Sequence, residues 1–520
     1  MWWRSGVLYQ IYPRSFADSN GDGVGDLPGI IGRLDHLAWL GVDGIWLSPI
    51  MVSPNADWGY DVADYCDVDP SYGTLDDVDT LVAEAGQRGI RVLLDLVPNH
   101  TSDRHPWFIE SRSSRSARHR NWYVWADQPN NWVSSFGGPA WTLDEATGQY
   151  YLHNFTPEQP DLNWWNDEVR DAFDAILRFW FGRGIAGFRI DVCHGIVKDA
   201  LLRDNPPATK NDHWMVRMFG QRSVYNANRP DVHDVLRRWR QLADTYEPPR
   251  MLLGETLVHE IETMATYYGD GSDELNLAFN YPFLDAPLDA SALRAIVEKT
   301  EGQLPAGAWP LWTGSNHDVS RLATRWAGGS PVKARLALLM LLTLRGTPLL
   351  YQGDEIGLPD TPLTRDDLKD PVGLRFWPAH PGRDPARTPM PWSDEPGGGF
   401  TRPGVKPWLP LAGGVESVEA QRADPSSMIC FARDAIALRR SRPDLVGGGY
   451  ASLPAPAGLW AWRRGKGTVV AVNLSDDTGS VEEVQGQVLL GTDKSRVGDS
   501  VSGLLRLSPW EGCVVATSSL

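Results

Sequence analysis

The chain has 520 residues, 42% of them hydrophobic and 22% charged, a composition that excludes wholesale disorder and suits a large domain with one or two smaller units. Its formal net charge of −17 argues against nucleic acid, whose phosphates need a concentrated basic surface, and leaves a neutral small molecule as the easier ligand. Cys66, Cys193, Cys430 and Cys513 lie far apart with no C-x-x-C pair, so neither a disulfide framework nor a zinc site is expected.

Short apolar runs alternate with amphipathic stretches along the chain. Val7–Ile11 reads as a strand. A helix follows with Leu27, Ile30, Ile31, Leu34 and Leu37 on one face, ending at Gly41. Further strands are expected at Gly44–Leu47, Arg91–Val97, Gly187–Asp191, Met251–Gly254, Leu275–Asn280, Trp309–Thr313 and Pro348–Tyr351. Helices are expected near 76–88, 167–182, 232–246, 259–268, 290–301, 331–345 and 427–441. Eight strand–helix alternations are the count of a (β/α)8 TIM barrel, an α/β fold.

Two stretches depart from a plain barrel. Residues 101–165, after the third strand, are rich in Trp, Asn, Gly and Pro, too long for a simple loop and read as an inserted lobe. From about 446 the helical period stops, and Leu459–Arg463, Gly467–Leu474 and Gly503–Leu507 read as strands of a C-terminal antiparallel β-domain, expected as a β-sandwich. The barrel is therefore assigned to 1–100 and 166–445, the lobe to 101–165 and the β-domain to 446–520. A Pro- and Gly-rich loop, about 355–425, separates the last barrel strand from its helix. The opening MWWRSGVLYQIYPRSF holds no apolar run long enough for a signal peptide or membrane span, so a cytoplasmic enzyme without membrane contact is expected.

Catalytic groups of TIM barrels sit at the C-terminal ends of the strands, and acidic and polar residues gather there. DLVPNH places Asp95, Asn99 and His100 after strand three; GFRIDV places Arg189 and Asp191 after strand four. LLGET places Glu255 after strand five, and GSNHD places His317 and Asp318 after strand seven. Glycoside hydrolysis accounts for such a set: one carboxylate against the anomeric carbon, and one protonated carboxyl near the leaving oxygen. Arg189, two residues before Asp191 and on the same face, is expected to hold that carboxyl low and ionised. The apolar Met251–Leu253 run is expected to surround Glu255 with a less polar setting that keeps it protonated. Asp318, His100 and His317 are candidates to hold sugar hydroxyls.

These segments resemble the α-amylase superfamily, glycoside hydrolase family thirteen, whose conserved regions appear in order as DLVPNH, QPDLN, GFRID, GET and SNHD. The resemblance implies a retaining mechanism with Asp191 as nucleophile, Glu255 as acid/base and Asp318 as transition-state stabiliser, with Arg189, His100 and His317 binding sugar. YQIYPRSFADSNGDGVGDLPGI, ADWGYDVADY and RDPARTPMPW resemble the α-glucosidase and oligo-1,6-glucosidase branch. That likeness implies that Asp57 and Tyr60 close a pocket around terminal glucose, lined by Phe136 and Phe155 and by Arg387 near the scissile bond. It further implies small α-glucosides of maltose or isomaltose type as substrates, for a monomer or homodimer. Val192, directly after Asp191, leans towards α-1,6 bonds. Sucrose- or trehalose-type isomerases and transglucosylases share the same first half-reaction; a non-catalytic binding or chaperone relative is the remote alternative.

The loop Asp18-Ser-Asn20-Gly-Asp22-Gly-Val24-Gly-Asp26 begins like an EF-hand but carries Gly29 at the twelfth position, which excludes a true EF-hand. Asp18, Asn20, Asp22 and Asp26 by side chain, and Val24 by its carbonyl, are the expected ligands of a structural calcium, or magnesium, as in that branch.

Overall fold

The computed structural model describes residues 1–517. Eight short parallel strands form one sheet: β1 (Leu8–Ile11), β2 (Gly44–Leu47), β3 (Arg91–Leu96), β4 (Gly187–Ile190), β5 (Met251–Gly254), β6 (Leu277–Ala278), β7 (Leu311–Thr313) and β8 (Thr347–Tyr351). Their hydrogen-bonded order is β6-β5-β4-β3-β2-β1-β8-β7, the cyclic order of the expected barrel. Alternate residues point inward, so Leu8, Trp46, Leu93, Met251, Leu253, Leu277, Leu311 and Leu349 share an interior core. Above that layer the same parity brings polar residues to the mouth.

The barrel has a seam. No ladder pairs β6 with β7 among the described residues, and both strands are shorter than the apolar runs suggest. Tyr268 bridges the gap: its hydroxyl accepts the Ala278 N–H (3.0 Å) and donates to the Trp309 carbonyl (3.2 Å). Phe279, Tyr281 and Trp309 fill the same space from either side.

Helices follow the expected pattern with one break. The helix expected from Leu27 to Gly41 is two, Leu27–Ile31 and Leu34–Leu40, because Gly32 and Arg33 turn the chain between them. Asp26 caps the first by accepting the Gly29 N–H, and Gly41, at φ 96°, ends the second in a left-handed cap that favours glycine. The helix Asp167–Gly182 starts on Asn166 and buries Val169, Phe173, Ile176, Leu177 and Trp180. No helix among the described residues is long and apolar enough to cross a membrane.

Within the lobe, strands Trp125–Ala126, Trp141–Asp144 and Gln149–Leu152 form a small antiparallel sheet over a core of Trp132, Ala140, Trp141 and Leu152. The C-terminal strands are β9 (Tyr450–Leu453), β10 (Leu459–Arg464), β11 (Thr468–Asn473), β12 (Gly479–Gly491), β13 (Ser500–Leu507) and β14 (Gly512–Thr517). In place of the two stacked sheets of the expected sandwich they form one continuous antiparallel sheet, ordered β9-β10-β11-β14-β12-β13. The long β12 pairs with β13 over its first half and with β14 over its second. At the changeover sits Gly486, φ 153°, where a Cβ would meet the Ala516 carbonyl oxygen at 1.9 Å, so only glycine fits.

Candidate active site

Arg189 stands at the centre of the mouth, 1% exposed on its side chain. Its Nη1 lies 2.5 Å from Asp191 and 2.9 Å from Asp95, and its Nη2 lies 2.9 Å from Glu255. One guanidinium therefore serves three carboxylates from three adjacent strands. The expectation that Arg189 holds Asp191 low is overturned by this arithmetic of charge: burial pushes the Asp191 carboxyl well above the usual range, and Glu255 and Asp95 add to that push against the pull of Arg189. Asp95 is likewise pushed up to about 7 by burial, against Arg189. Asp95 and Asp191, which share the guanidinium, therefore titrate as a pair rather than singly.

Glu255 does not have the apolar surroundings suggested by the run before it. Its Oε2 accepts the Val192 N–H at 2.8 Å and its Oε1 accepts the Tyr281 hydroxyl at 2.8 Å. Leu252 faces the outer core while Met251 and Leu253 lie below in the barrel, so the run packs the strand and leaves the carboxyl in polar company. Val192 adopts φ 43°, ψ 40°, left-handed backbone that is costly for a β-branched residue and that aims its N–H at Glu255.

Asp318 lies against Arg387 (2.9 Å), Arg383 (3.2 Å) and His317 (3.1 Å). Burial alone would raise its carboxyl; the cationic surroundings outweigh it and hold Asp318 well below the usual carboxylate range. Burial also pushes His317 well below its ordinary value, leaving it neutral, so the lowering of Asp318 rests on the two guanidiniums. Gln10 meets His317 Nδ1 at 2.7 Å; with the amide donating, the Nε2 hydrogen points to Tyr60 and Asp318. Tyr60 stacks on that ring at 5.3 Å and donates to Asp95.

The far wall is built from the loops after β2 and β8. Arg383 binds Asp57 (2.5 Å), Asp370 (2.6 Å) and Asp318, with its guanidinium 5.1 Å from the Phe136 ring. Phe136 and Phe155 meet edge to face at 5.4 Å, half-buried and outside the lobe core, which makes them wall. Asn55 and Trp58, at φ 64° and 50°, flank Asp57 in strained left-handed backbone. Arg14 secures that loop, bonding Asn55 and lying over Trp58, Tyr72 and Trp408. His100 is kept neutral, pushed down to about 4 by burial. Both of its ring nitrogens are engaged within the protein, with the Tyr60 carbonyl and with Asn99; no donor is left over for a sugar hydroxyl in this arrangement. Within QPDLN, Gln159 donates to Asp57, and Asp161 pairs with the buried Lys198 at 2.8 Å, which fastens the lobe to the strand ends.

The expected carboxylates, Arg189, His317, Asp57, Tyr60, Phe136, Phe155 and Arg387 thus converge. Sequence reasoning missed Arg383, Asp370, Gln159, Lys198 and Tyr281. Arg383 opens the RDPARTPMPW tract already singled out, and Tyr281 opens the short helix Tyr281–Asp285 that follows β6.

The loop Asp18–Asp26 adds no side chain to this cluster. Asp18 accepts from Gly21, Gly23 and Thr401; Asp26 accepts from Ser19 and Gly29; Asp22 accepts from Val24 and Asn20. No three His, Cys, Asp or Glu side chains converge on a metal position among the described residues. The donors are all hard oxygens, and each carboxylate, with about four lone-pair positions, retains at least one free, so the set fits calcium or magnesium in chemistry.

Three carboxylates from separate strand ends, gathered on one arginine beside a closed wall, define a glycoside-processing (β/α)8 barrel. The family model for the α-amylase catalytic domain matches residues 10–448, and the chain belongs to that family. It is 43% identical over 505 residues, covering 92% of this chain and 91% of the other, to a probable α-glucosidase of Rhizobium meliloti (strain 1021). It is 36% identical to an oligo-1,6-glucosidase of Heyndrickxia coagulans, covering 93% and 94%. Among solved structures, an α-glucosyl transfer enzyme, XgtA, superposes with TM-score 0.93 at 41% identity, covering 99% of each chain. The trehalulose synthase MutB of Pseudomonas mesoacidophila MX-45 superposes with TM-score 0.89 at 31% identity, again covering 99% of each.

Proposed function

We propose that this enzyme is a retaining, exo-acting α-glucosidase that releases terminal α-linked glucose from short oligosaccharides of maltose or isomaltose type. The observation that carries the reading is Asp191 and Glu255 held on neighbouring nitrogens of one guanidinium. Such closeness supports retention, which needs the two carboxyls about 5–5.5 Å apart, rather than inversion at about 6.5–9.5 Å. Asp191, once ionised against the burial that favours its neutral form, attacks the anomeric carbon while Glu255 protonates the leaving oxygen. Glu255 then deprotonates the water that releases glucose from Asp191. Asp318, kept ionised by Arg383 and Arg387, stabilises the cationic transition state. The Asp57–Arg383–Asp370 wall supports exo action, because an endo enzyme needs an open groove. Transfer to a sugar acceptor is a second reading, favoured by the likeness to XgtA and MutB.

Val192 leans the linkage towards α-1,6. We read the Asp18–Asp26 loop as a structural calcium- or magnesium-type site, supported by its oxygen donor set. A cytoplasmic monomer or homodimer accords with four free thiols.

Incubation with maltose, isomaltose, sucrose, trehalose and soluble starch tests the reading. Glucose released as the α-anomer from the small sugars, with starch nearly untouched and no product from Asp191→Asn, is the expected result. New disaccharides would make the enzyme an isomerase or transglucosylase, and release of β-glucose would overturn retention.

A further inference from the structure

The two oxygens of Glu255 are not equivalent. Oε2 faces the Val192 N–H, which donates to it at 2.8 Å from strained backbone, and the Arg189 guanidinium, an ion-pair contact at 2.9 Å. A proton placed on Oε2 would meet the Val192 hydrogen on one side and the positive charge of Arg189 on the other. Oε1 faces one partner, the Tyr281 hydroxyl at 2.8 Å, and a hydroxyl rotates and has lone pairs as well as a hydrogen. Tyr281 is 6% exposed and opens the short helix Tyr281–Asp285 three residues past β6, packed among Phe279, Leu284 and Trp309. Resting on the acid/base role given to Glu255, we propose that Tyr281 is a positioning residue for that carboxyl: its hydroxyl marks Oε1 as the oxygen that delivers the proton and steadies it once the proton has gone.

The steps balance. In glycosylation the Oε1 proton moves to the glycosidic oxygen as the C1–O bond breaks and the Asp191–C1 bond forms. Oε1 becomes an anion, and the Tyr281 O–H bond to it strengthens as negative charge develops, an interaction worth more in the transition state than in the ground state. In deglycosylation Oε1 takes a proton from water as the water oxygen–C1 bond forms and the C1–Asp191 bond breaks, returning Asp191 as a carboxylate, and the Tyr281 hydroxyl holds Oε1 in line. Burial beside Glu255 pushes the Tyr281 phenol well above its ordinary value, so it stays a donor throughout the working range. Arg189 and Asp318, the other charged groups facing it, do not reach Oε1 at hydrogen-bond distance.

Tyr281→Phe keeps the ring and its packing and removes only the hydroxyl. Compared with wild type, kcat/KM for a disaccharide with a poor leaving group is expected to fall about 10–100-fold, the range for a lost hydrogen bond to a charged group. An aryl α-glucoside with a good leaving group, which needs no protonation, is expected to fall less than about threefold. The alkaline limb of the disaccharide pH profile is expected to move up, because the ionised acid has lost a donor. An equal fall on both substrates with an unmoved limb would reduce Tyr281 to packing and overturn the proposal. Tyr281→Leu, run in parallel, separates the hydroxyl from the ring: if Phe behaves as wild type and only Leu loses activity, the proposal also fails. Glu255→Gln is the control for the reading underneath. If Glu255→Gln itself slows both substrates equally, the acid/base assignment is wrong and the proposal falls with it, whatever Tyr281→Phe shows.

Discussion

At the residue scale, the mouth of the barrel is governed by a shortage of positive charge. Arg189 carries one charge and touches Asp95, Asp191 and Glu255, so ionising all three leaves the cluster strongly negative in a buried place. Asp95 makes no contact with the reacting pair except through Arg189, yet its charge helps push Asp191 upward. Asp95→Asn removes that charge and leaves Arg189 to the other two. The sign follows: with less negative charge nearby, Asp191 ionises more readily, and the acidic limb of kcat/KM is expected to move to lower pH. An acidic limb that stays in place or moves up would show that Asp95 does not act on the nucleophile electrostatically. Asp318 is the counter-example within the same mouth, where Arg387 and Arg383, the latter shared with Asp57 and Asp370, both stand against it and keep it ionised.

At the element scale, the site depends on where strands end. β3, β4 and β5 are in ladder register, with Asp95 and Leu253 both opposite Arg189, and that registration sets Asp95 beside Arg189 and carries Asp191 and Glu255 together one inward step higher. The weak side of the barrel is the seam between β6 and β7, on which Tyr281 stands. Tyr268→Phe removes the hydroxyl that satisfies the Ala278 N–H and the Trp309 carbonyl there. A buried polar group without a partner costs about 1–3 kcal/mol, which for a chain of this length corresponds to a fall in Tm of roughly 1–3 °C. A variant melting with wild type would mean that the seam closes by packing alone. The late loop, by contrast, is irregular but well tied: Ser15 bonds the Arg387 carbonyl, and Met390 N–H donates to Ser15, so Arg383 and Arg387 stand on a braced segment.

At the scale of the whole molecule, the chain returns to its own beginning. Residues 387–408 dock on 15–33 through Thr401 to Asp18, Arg33 to Gly399 and Trp408 to Gly23. The Asp18–Asp26 loop is therefore held between β1 and the segment that follows the pocket arginines. If it holds calcium or magnesium, a chelator is expected to lower the melting temperature and metal analysis to find about one equivalent. An unchanged melting curve with no metal in the purified protein would leave the Asx turns as the loop's whole role. The C-terminal sheet is attached through Arg464 of β10, which donates to the Thr343 carbonyl at the end of the helix Pro331–Thr343, while Arg439 on the helix Met428–Ser441 donates to the neighbouring Leu342 and Leu344 carbonyls.

Much of this was legible before any coordinates, for reasons that are local. Period-two and period-3.6 apolar patterns depend on which face of an element is buried, and they placed the eight strands, the main helices and the strand-end residues Asp191, Glu255 and Asp318. The helix end at Gly41 works the same way, through its own turn of chain. The tertiary structure alone decided how many carboxylates share Arg189, that Arg383 closes the wall with Asp57, and that Tyr281 reaches Glu255. These are pairings across tens to hundreds of residues. A charge shared between partners has no period along the chain, and its effect on each carboxyl depends on distance, burial and neighbours. For that reason the sequence supports naming the acids, while only the packed barrel determines which of them gains protons and which stays ionised.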